Sequence, residues 1–216
     1  MNLSKQLNAL KEANLSRLPK DLSDVLLKDV ERQVKNGITK NALKVGDQIP
    51  AFELQNAVGE MVKSTDLLYD GPLIISFYRG AWCPYCNVEL AAYQESLEEI
   101  KEAGAQLVAI SPDLPDKSMS LVEKHALQYE ILSDINNKTS REFGLVYPLG
   151  KDVQNVYEKF GIDLENHQGN TDFELPFAAT YVVDSNGSII EAAVNYDYTV
   201  RLDPADAIEI IKTCTY

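Results

Sequence analysis

Apolar residues recur at helical spacing over the first part of the chain, to about residue 43. The residues of the two apolar stripes are Leu3, Leu7 and Leu10, followed by Leu22, Val25, Leu26, Val30 and Val34. This spacing predicts two amphipathic helices, punctuated by Pro19 and Gly37. Such helices either pack on their own domain, which is the more frequent case, or present a docking or dimerisation surface.

From residue 45 onward the apolar runs become short, as in strands. Residues 52–54 and 61–62 are separated by a turn sequence, which predicts a β-hairpin. The run at 73–78 (Leu-Ile-Ile-Ser-Phe-Tyr) is almost continuously apolar, and 107–110 has the same character. Both runs are typical of central strands that are covered on both faces.

The second half of the chain continues the alternation of helices and strands. Residues 118–126 have a helical pattern, and a strand at 180–183 leads to Asn-Gly at 186–187, a strong hairpin-turn signal. Asp-Pro at 203–204 caps and starts a final helix. Residues 166–173 are polar and contain glycine, which predicts a surface loop. This order predicts an α/β protein with a mixed central sheet and helices on both faces.

Composition narrows the class of protein. A length of 216 residues fits one domain with an appended element, so we expect a helical extension over 1–43 and one folded domain over 44–216. The formal net charge of −13 disfavours nucleic acid and membrane surfaces as partners. No run approaches the roughly 18 apolar residues of a membrane helix, and the start lacks the apolar centre of a signal peptide. We therefore predict a cytoplasmic protein.

Candidate chemistry is concentrated in the tetrapeptide Cys83-Pro84-Tyr85-Cys86. Pro84 suits the first position of a helix, which puts Cys83 near the N-cap, where free N–H groups and the helix dipole favour a thiolate. Cys86 follows about one turn later and can close a small disulfide with Cys83. A structural zinc site is disfavoured because no second Cys or His pair has suitable spacing, so we expect no metal.

The segment around this tetrapeptide resembles a known family. Residues 77–86 (Phe-Tyr-Arg-Gly-Ala-Trp-Cys-Pro-Tyr-Cys) resemble the active-site segment of the alkyl hydroperoxide reductase and thiol-specific antioxidant (AhpC/TSA) family, the peroxiredoxins. The resemblance extends from 45–50 through 180–184 to Asn195 and Arg201. It implies a thioredoxin-like fold and a thiol-dependent peroxidase that needs no cofactor. It also implies a hydroperoxide substrate and an external thiol reductant such as thioredoxin, and it leaves a homodimer open.

Alignment to the family pattern Pro-x-x-x-Thr/Ser-x-x-Cys places the peroxide-attacking cysteine at Cys86. The chain departs from the pattern at three other positions. Arg79 occupies the position of the proline, Cys83 that of the threonine, and Ala178 that of an arginine that often precedes the late strand. The peroxide-activating set of the family is therefore incomplete.

Two other functions remain open. The sequence Trp82-Cys-Pro-Tyr-Cys also resembles the thioredoxin active site, which implies a disulfide oxidoreductase in which Cys83 attacks a disulfide substrate and Cys86 resolves the intermediate. Ala178 then stands where thioredoxins carry a cis-proline. The third hypothesis is a non-catalytic redox sensor, in which the cysteine pair switches a surface used by a partner.

Several residues could support the cysteines. The candidates are Arg79, Trp82, Pro84, Tyr85 and Arg201. An arginine beside a cysteine lowers its thiol pKa, so Arg79 either stabilises a thiolate or forms a structural ion pair, whereas Arg201 is expected to be structural. Cys214, in the final helix, is expected to be a bystander.

Overall fold

The computed structural model describes residues 2–214, except for the side chains of residues 38 and 214. The helices are α1 (Leu3–Arg17), α2 (Lys20–Asn36), α3 (Ser64–Asp70), α4 (Pro84–Glu95), α5 (Leu97–Glu102), α6 (Pro115–His125), α7 (Lys138–Glu142), α8 (Lys151–Lys159), α9 (Leu164–Gln168) and α10 (Pro204–Cys214). The strands are β1 (Glu53–Asn56), β2 (Met61–Lys63), β3 (Leu73–Phe77), β4 (Gln106–Ser111), β5 (Glu130–Ser133), β6 (Val146–Pro148), β7 (Glu174–Pro176), β8 (Ala179–Val183) and β9 (Ile189–Val194). The role predicted for Cys214 concerns a side chain outside the described residues.

A seven-stranded mixed sheet forms the centre of the molecule, with the strand order β2-β1-β5-β4-β3-β8-β9. Strands β3, β4 and β5 are parallel to one another, whereas β1, β8 and the two edge strands pair antiparallel with their neighbours. The two predicted hairpins are present as β1–β2 and β8–β9. The predicted mixed sheet is confirmed, and β6 and β7 form a separate antiparallel pair.

Strand β3 is buried along its whole length, as its almost continuous apolar run predicts. Its alternate side chains enter different cores. Leu73, Ile75 and Phe77 pack in one cluster, and Ile74 packs in another beneath α5 and α10. Because β3 is fixed from both faces, the position of the chain where it leaves the strand is well defined, and this is where the cysteine segment begins.

The helical extension packs on the domain in two ways. Helix α1 buries Leu3 and Leu7 in the same cluster that contains both cysteines of the tetrapeptide. Helix α2 lies against α8 and buries the polar residues Ser23, Asp29 and Gln33. Its predicted apolar stripe is only partly covered, and Val34 is 51% exposed. Much of the apolar stripe of α2 therefore remains available to other contacts.

The loop predicted for residues 166–173 is wrong over its first part, because α9 continues to Gln168. Asp163 caps this helix by accepting a hydrogen bond from the backbone N–H of Asn166 at 3.0 Å, and Leu164 anchors it in the core. A buried leucine and an N-cap thus outweigh the polar composition. Gly169 then ends the helix with a φ of +70°.

Candidate active site

Six residues, 78–83, connect β3 to α4 and place the tetrapeptide at the start of that helix. Cys83 is the N-cap residue, with φ −86° and ψ 113°, and Pro84 occupies the first turn, as predicted. The backbone N–H of Cys83 donates to the carbonyl of Gly80 at 3.1 Å. The sulfur of Cys83 therefore lies at the positive end of a twelve-residue helix.

The loop before Cys83 is tightly constrained. Gly80 has a φ of +145°, and a Cβ atom at this position would lie 2.3 Å from Nε1 of Trp82. Only glycine fits there without displacing the indole. The backbone N–H of Ala81 donates to the buried carboxylate of Asp113 at 2.7 Å, and Asn87 donates to the carbonyl of Ala81 at 3.1 Å. These contacts hold the loop in one conformation beneath the cysteines.

Cys83 carries the more acidic thiol of the pair. Burial alone would raise its pKa, but a hydrogen bond from Cys86 and the positive charges of Arg79 and Arg201 together lower the pKa to about 6. Only 1% of the residue is exposed. At neutral pH, Cys83 is consequently a buried thiolate stabilised by positive charge.

Arg79 is the nearest cation to this sulfur, with its Nη1 atom 4.0 Å from Sγ of Cys83. Its guanidinium is buried among the rings of Trp82, Tyr157 and Tyr198, and its Nη2 donates to the Tyr157 hydroxyl. Among the described residues, Arg79 forms no ion pair with a carboxylate. A buried cation without a carboxylate strongly favours a negative charge on a neighbouring group, and the Cys83 sulfur is that group.

Cys86 has the opposite environment. It is fully buried on the inner side of α4. Burial and its hydrogen bond to the Cys83 sulfur raise the pKa of its thiol well above the ordinary value. Arg201 Nη2 lies 3.5 Å from the sulfur of Cys86 and limits this rise. The Cys86 thiol therefore keeps its proton while Cys83 is ionised.

A buried ion pair between Glu89 and Arg201 lies next to Cys86. Glu89 was not predicted from the sequence as part of the site. Glu89 Oε2 accepts a hydrogen bond from Nε of Arg201 at 2.7 Å, and its other oxygen accepts from the hydroxyl of Thr180 at 3.2 Å. Arg201 is thus the ion-pair partner that was expected, but it also reaches the sulfur of Cys86. The sequence did contain one signal for Glu89, which is a carboxylate three residues after Cys86 and beside apolar positions of the helix. A carboxylate buried at such a position needs a charged partner.

A cavity of about 390 Å³ opens onto Cys83. Four of the five predicted supporting residues line it together with Cys83, namely Arg79, Trp82, Pro84 and Tyr85. The hydroxyl of Tyr85 accepts a hydrogen bond from Asn14 of α1 at 3.2 Å, which ties this wall to the extension. Cys86 and Arg201 lie behind the cavity lining, so a molecule in the cavity would meet the sulfur of Cys83 first.

Across residues 2–214, no group of three or more His, Cys, Asp or Glu side chains is arranged to hold a metal ion. Over the same range, no helix has both the length and the apolar character needed to cross a bilayer.

A family model described as the AhpC/TSA family matches residues 45–192. The chain belongs to the AhpC/TSA family. Among its curated relatives, peroxiredoxin Bcp of Escherichia coli (strain K12) is 35% identical over 106 residues, which cover 49% of this chain and 67% of that protein. The chloroplastic peroxiredoxin Q of Sedum lineare is 30% identical over 179 residues, which cover 83% of each chain. The predicted relationship to the peroxiredoxins is confirmed.

Solved peroxiredoxin structures share the fold. The crystal structure of peroxidoxin BcpB from Mycobacterium tuberculosis superimposes with a TM-score of 0.64 at 22% identity, covering 81% of this chain and 99% of that one. The predicted thioredoxin-like fold is therefore confirmed. Helices α1 and α2 lie entirely before residue 45, where the family match begins, so they add a wall to the site that the matched family segment does not contain.

Proposed function

We propose that this chain is a thiol-dependent peroxidase in which Cys83 attacks the hydroperoxide and Cys86 resolves the product. The observation that carries the assignment is the asymmetry of the two sulfurs. Cys83 lines the cavity and has a pKa lowered to about 6, whereas Cys86 is enclosed and its thiol pKa is raised. This geometry favours the reverse of the alignment-based assignment, in which Cys86 attacks.

In the first step the Cys83 thiolate attacks the terminal oxygen of R–O–O–H. An S–O bond forms, the O–O bond breaks, and the leaving alkoxide takes a proton from water to give an alcohol, which leaves Cys83 as a sulfenic acid. Arg79 faces the developing negative charge, and its buried Nε–H has no hydrogen-bond partner among the described residues. This guanidinium stabilises the thiolate before the reaction and the leaving oxygen during it.

In the second step Cys86 closes the cycle. Its thiol loses a proton, its sulfur attacks the sulfenic sulfur of Cys83, and water leaves as the disulfide forms. The two residues lie within the N-cap and first turn of α4, so the ring that they close is small. An external dithiol of the thioredoxin type then reduces the disulfide through a mixed intermediate.

The competing disulfide oxidoreductase function also begins with attack by Cys83. It requires a substrate disulfide, carried on a polypeptide, to reach a sulfur that is only 1% exposed beneath the helical extension. A hydroperoxide can enter the cavity, whereas a folded protein, the thioredoxin-type reductant included, reaches the sulfur only if the extension moves. The peroxidase needs this movement only to reduce its disulfide, whereas the oxidoreductase needs it for its first attack. The burial of Cys83 therefore favours the peroxidase.

Stopped-flow oxidation by hydrogen peroxide tests the assignment. Trp82 is the only tryptophan in the chain and lines the cavity, so its fluorescence reports the reaction. We expect Cys83→Ser to abolish rapid oxidation and Cys86→Ser to be oxidised at close to the wild-type rate but to stop at a sulfenic acid, which dimedone traps on Cys83. Cys214→Ser is the control for the loss of a thiol elsewhere.

The opposite pattern would restore the alignment-based assignment. In that case Cys86→Ser would show no rapid oxidation, and the dimedone adduct in Cys83→Ser would be found on Cys86. Oxidation of the wild-type protein no faster than that of a free thiol would exclude the peroxidase function and favour disulfide exchange.

A further inference from the structure

The cavity over Cys83 has mainly apolar walls, and the extension supplies many of them. The apolar lining residues from the extension are Leu15, Leu18, Leu26, Leu27 and Val30, and Phe160 and Ile162 also line the cavity. Three of these side chains remain well exposed, Leu15 at 39%, Leu27 at 45% and Phe160 at 39%. The walls are therefore apolar side chains that no other described part of the chain covers completely.

The volume of the cavity exceeds what hydrogen peroxide requires. Pockets that bind small organic molecules usually measure about 300–1,000 Å³, and this cavity measures about 390 Å³. Hydrogen peroxide has two heavy atoms, each able to form hydrogen bonds, and gains nothing from leucine and phenylalanine walls. An organic group attached to the peroxide would fill the space and remove apolar surface from water.

Polar groups line the cavity together with the leucines. Cys83 and Arg79, whose Nη1 lies 4.0 Å from the Cys83 sulfur, are joined in the lining by Lys11, Asn14, Arg17, Asp197 and Thr199. Because the reactive sulfur and the leucines line the same cavity, a hydroperoxide with an apolar body can present its peroxide group to Cys83 while the body contacts leucine side chains. In that orientation the O–O bond lies at the thiolate, as attack requires.

We infer that the helical extension is a specificity element that selects organic hydroperoxides with a bulky apolar body over hydrogen peroxide. The inference rests on the proposed peroxidase function and adds to it a segment, outside the family match, that selects among hydroperoxides. The determinants are side chains of the extension, chiefly Leu15, Leu18 and Leu27. The reaction remains that of Cys83, and the extension contributes binding energy for the apolar part of the substrate.

The test compares cumene hydroperoxide with hydrogen peroxide in single-turnover stopped-flow reactions without a reductant. We expect the second-order rate constant of the wild-type protein to be at least tenfold higher for cumene hydroperoxide. In the double variant Leu15→Gln/Leu27→Gln this advantage should fall about tenfold, because the rate constant for cumene hydroperoxide falls. Each leucine is partly exposed, so the polar replacements should leave the fold intact.

Val34 offers a matched control. It lies on the same helix as Leu27, is 51% exposed and is not part of the cavity lining. Val34→Gln introduces the same side chain at a comparable exposure, and we expect both rate constants to remain at the wild-type level. An effect of this control equal to that of the double variant would overturn the inference, because the helix and not the cavity would then be responsible.

Binding can also be measured without chemistry. The alcohol 2-phenyl-2-propanol is the product of cumene hydroperoxide and cannot oxidise a thiol. Titration with this alcohol should change the fluorescence of Trp82 saturably in the wild type, with a dissociation constant about tenfold weaker in Leu15→Gln/Leu27→Gln. The absence of a saturable change in the wild type would overturn the inference.

The failure of the inference is distinguishable from failure of the proposed function. If hydrogen peroxide oxidises Cys83 rapidly but the two peroxides react equally, or the double variant slows both to the same extent, the extension is not a specificity element and the peroxidase assignment stands. If neither peroxide oxidises Cys83 faster than a free thiol, the peroxidase function fails. If the double variant slows only the multiple-turnover reaction with a thioredoxin-type reductant, the cavity wall serves reductant docking, and the inference is wrong.

Discussion

Replacing Arg79 with methionine should raise the pKa of Cys83 and slow its reaction with peroxide at neutral pH. The substitution removes the positive charge but keeps a long, flexible side chain to fill the space among Trp82, Tyr157 and Tyr198. Arg79 lies 4.0 Å from the sulfur and has no carboxylate partner among the residues described, so its charge acts mainly on Cys83. The loss of that charge is therefore felt at the reactive atom.

The size of the effect follows from the distance. Two unit charges 4 Å apart at an effective dielectric constant near 20 interact by about 4 kcal/mol, which corresponds to roughly three pH units. The guanidinium charge is spread over three nitrogens, so we expect about two units and a Cys83 pKa of roughly 8 in Arg79→Met. At pH 7 the thiolate fraction would then fall from roughly 90% to roughly 10%. The peroxide reaction should slow about tenfold, because only the thiolate attacks.

The assay is alkylation of Cys83 by iodoacetamide as a function of pH, read for the Cys83 peptide by mass spectrometry so that the other thiols do not contribute. Arg79→Lys is the matched control, because it keeps the charge and should hold the midpoint near that of the wild type. A midpoint that stays near 6 in a folded Arg79→Met protein would refute the reasoning. The thiolate would then be stabilised by the helix terminus, Cys86 and Arg201 instead.

Three further predictions follow from the same contacts. The rate of peroxide oxidation should rise with pH through about 6 and level off above it, since the lowered pKa of Cys83 means that the reactive thiolate is lost only in acid; rapid-mixing rates from pH 4.5 to 8 measure this. Glu89→Ala leaves the guanidinium of Arg201 buried without its carboxylate and should lower the free energy of unfolding by about 3–5 kcal/mol, as measured by urea denaturation. Gly80→Ala would place a Cβ atom 2.3 Å from Nε1 of Trp82; it should cost about 1–3 kcal/mol in the same assay and shift the tryptophan emission.

Local signals predicted much of the framework. The apolar run of β3, the Asn-Gly turn between β8 and β9, and Pro84 after Cys83 each specify backbone geometry within a few residues, and the structure follows them. The loop predicted for 166–173 was partly wrong because the signals for α9 lie just outside it, at Asp163 and Leu164. A polar stretch can be helical when a cap and one buried anchor precede it.

The arrangement of the site depended on contacts that sequence spacing does not encode. Arg201 is 115 residues from Cys86, and it reaches the sulfur only because the chain after β9 returns to α4. Arg79 could be predicted as a neighbour of Cys83, but its ring of aromatic side chains comes partly from Tyr157 and Tyr198, far along the chain. The assignment of the attacking cysteine depends on these distant groups, since they determine which thiol ionises.

The cysteine pair and the leucine wall of the cavity are encoded by separate stretches of the chain. Cys83 and Cys86 lie within the family match, whereas the leucines that line the cavity with Cys83 belong to the extension that precedes it. A change in α1 or α2 can therefore alter the fit of a ligand without disturbing the groups that ionise Cys83. If the proposed function holds, new substrate ranges could evolve, or be engineered by exchanging residues 3–36, on an unaltered redox centre.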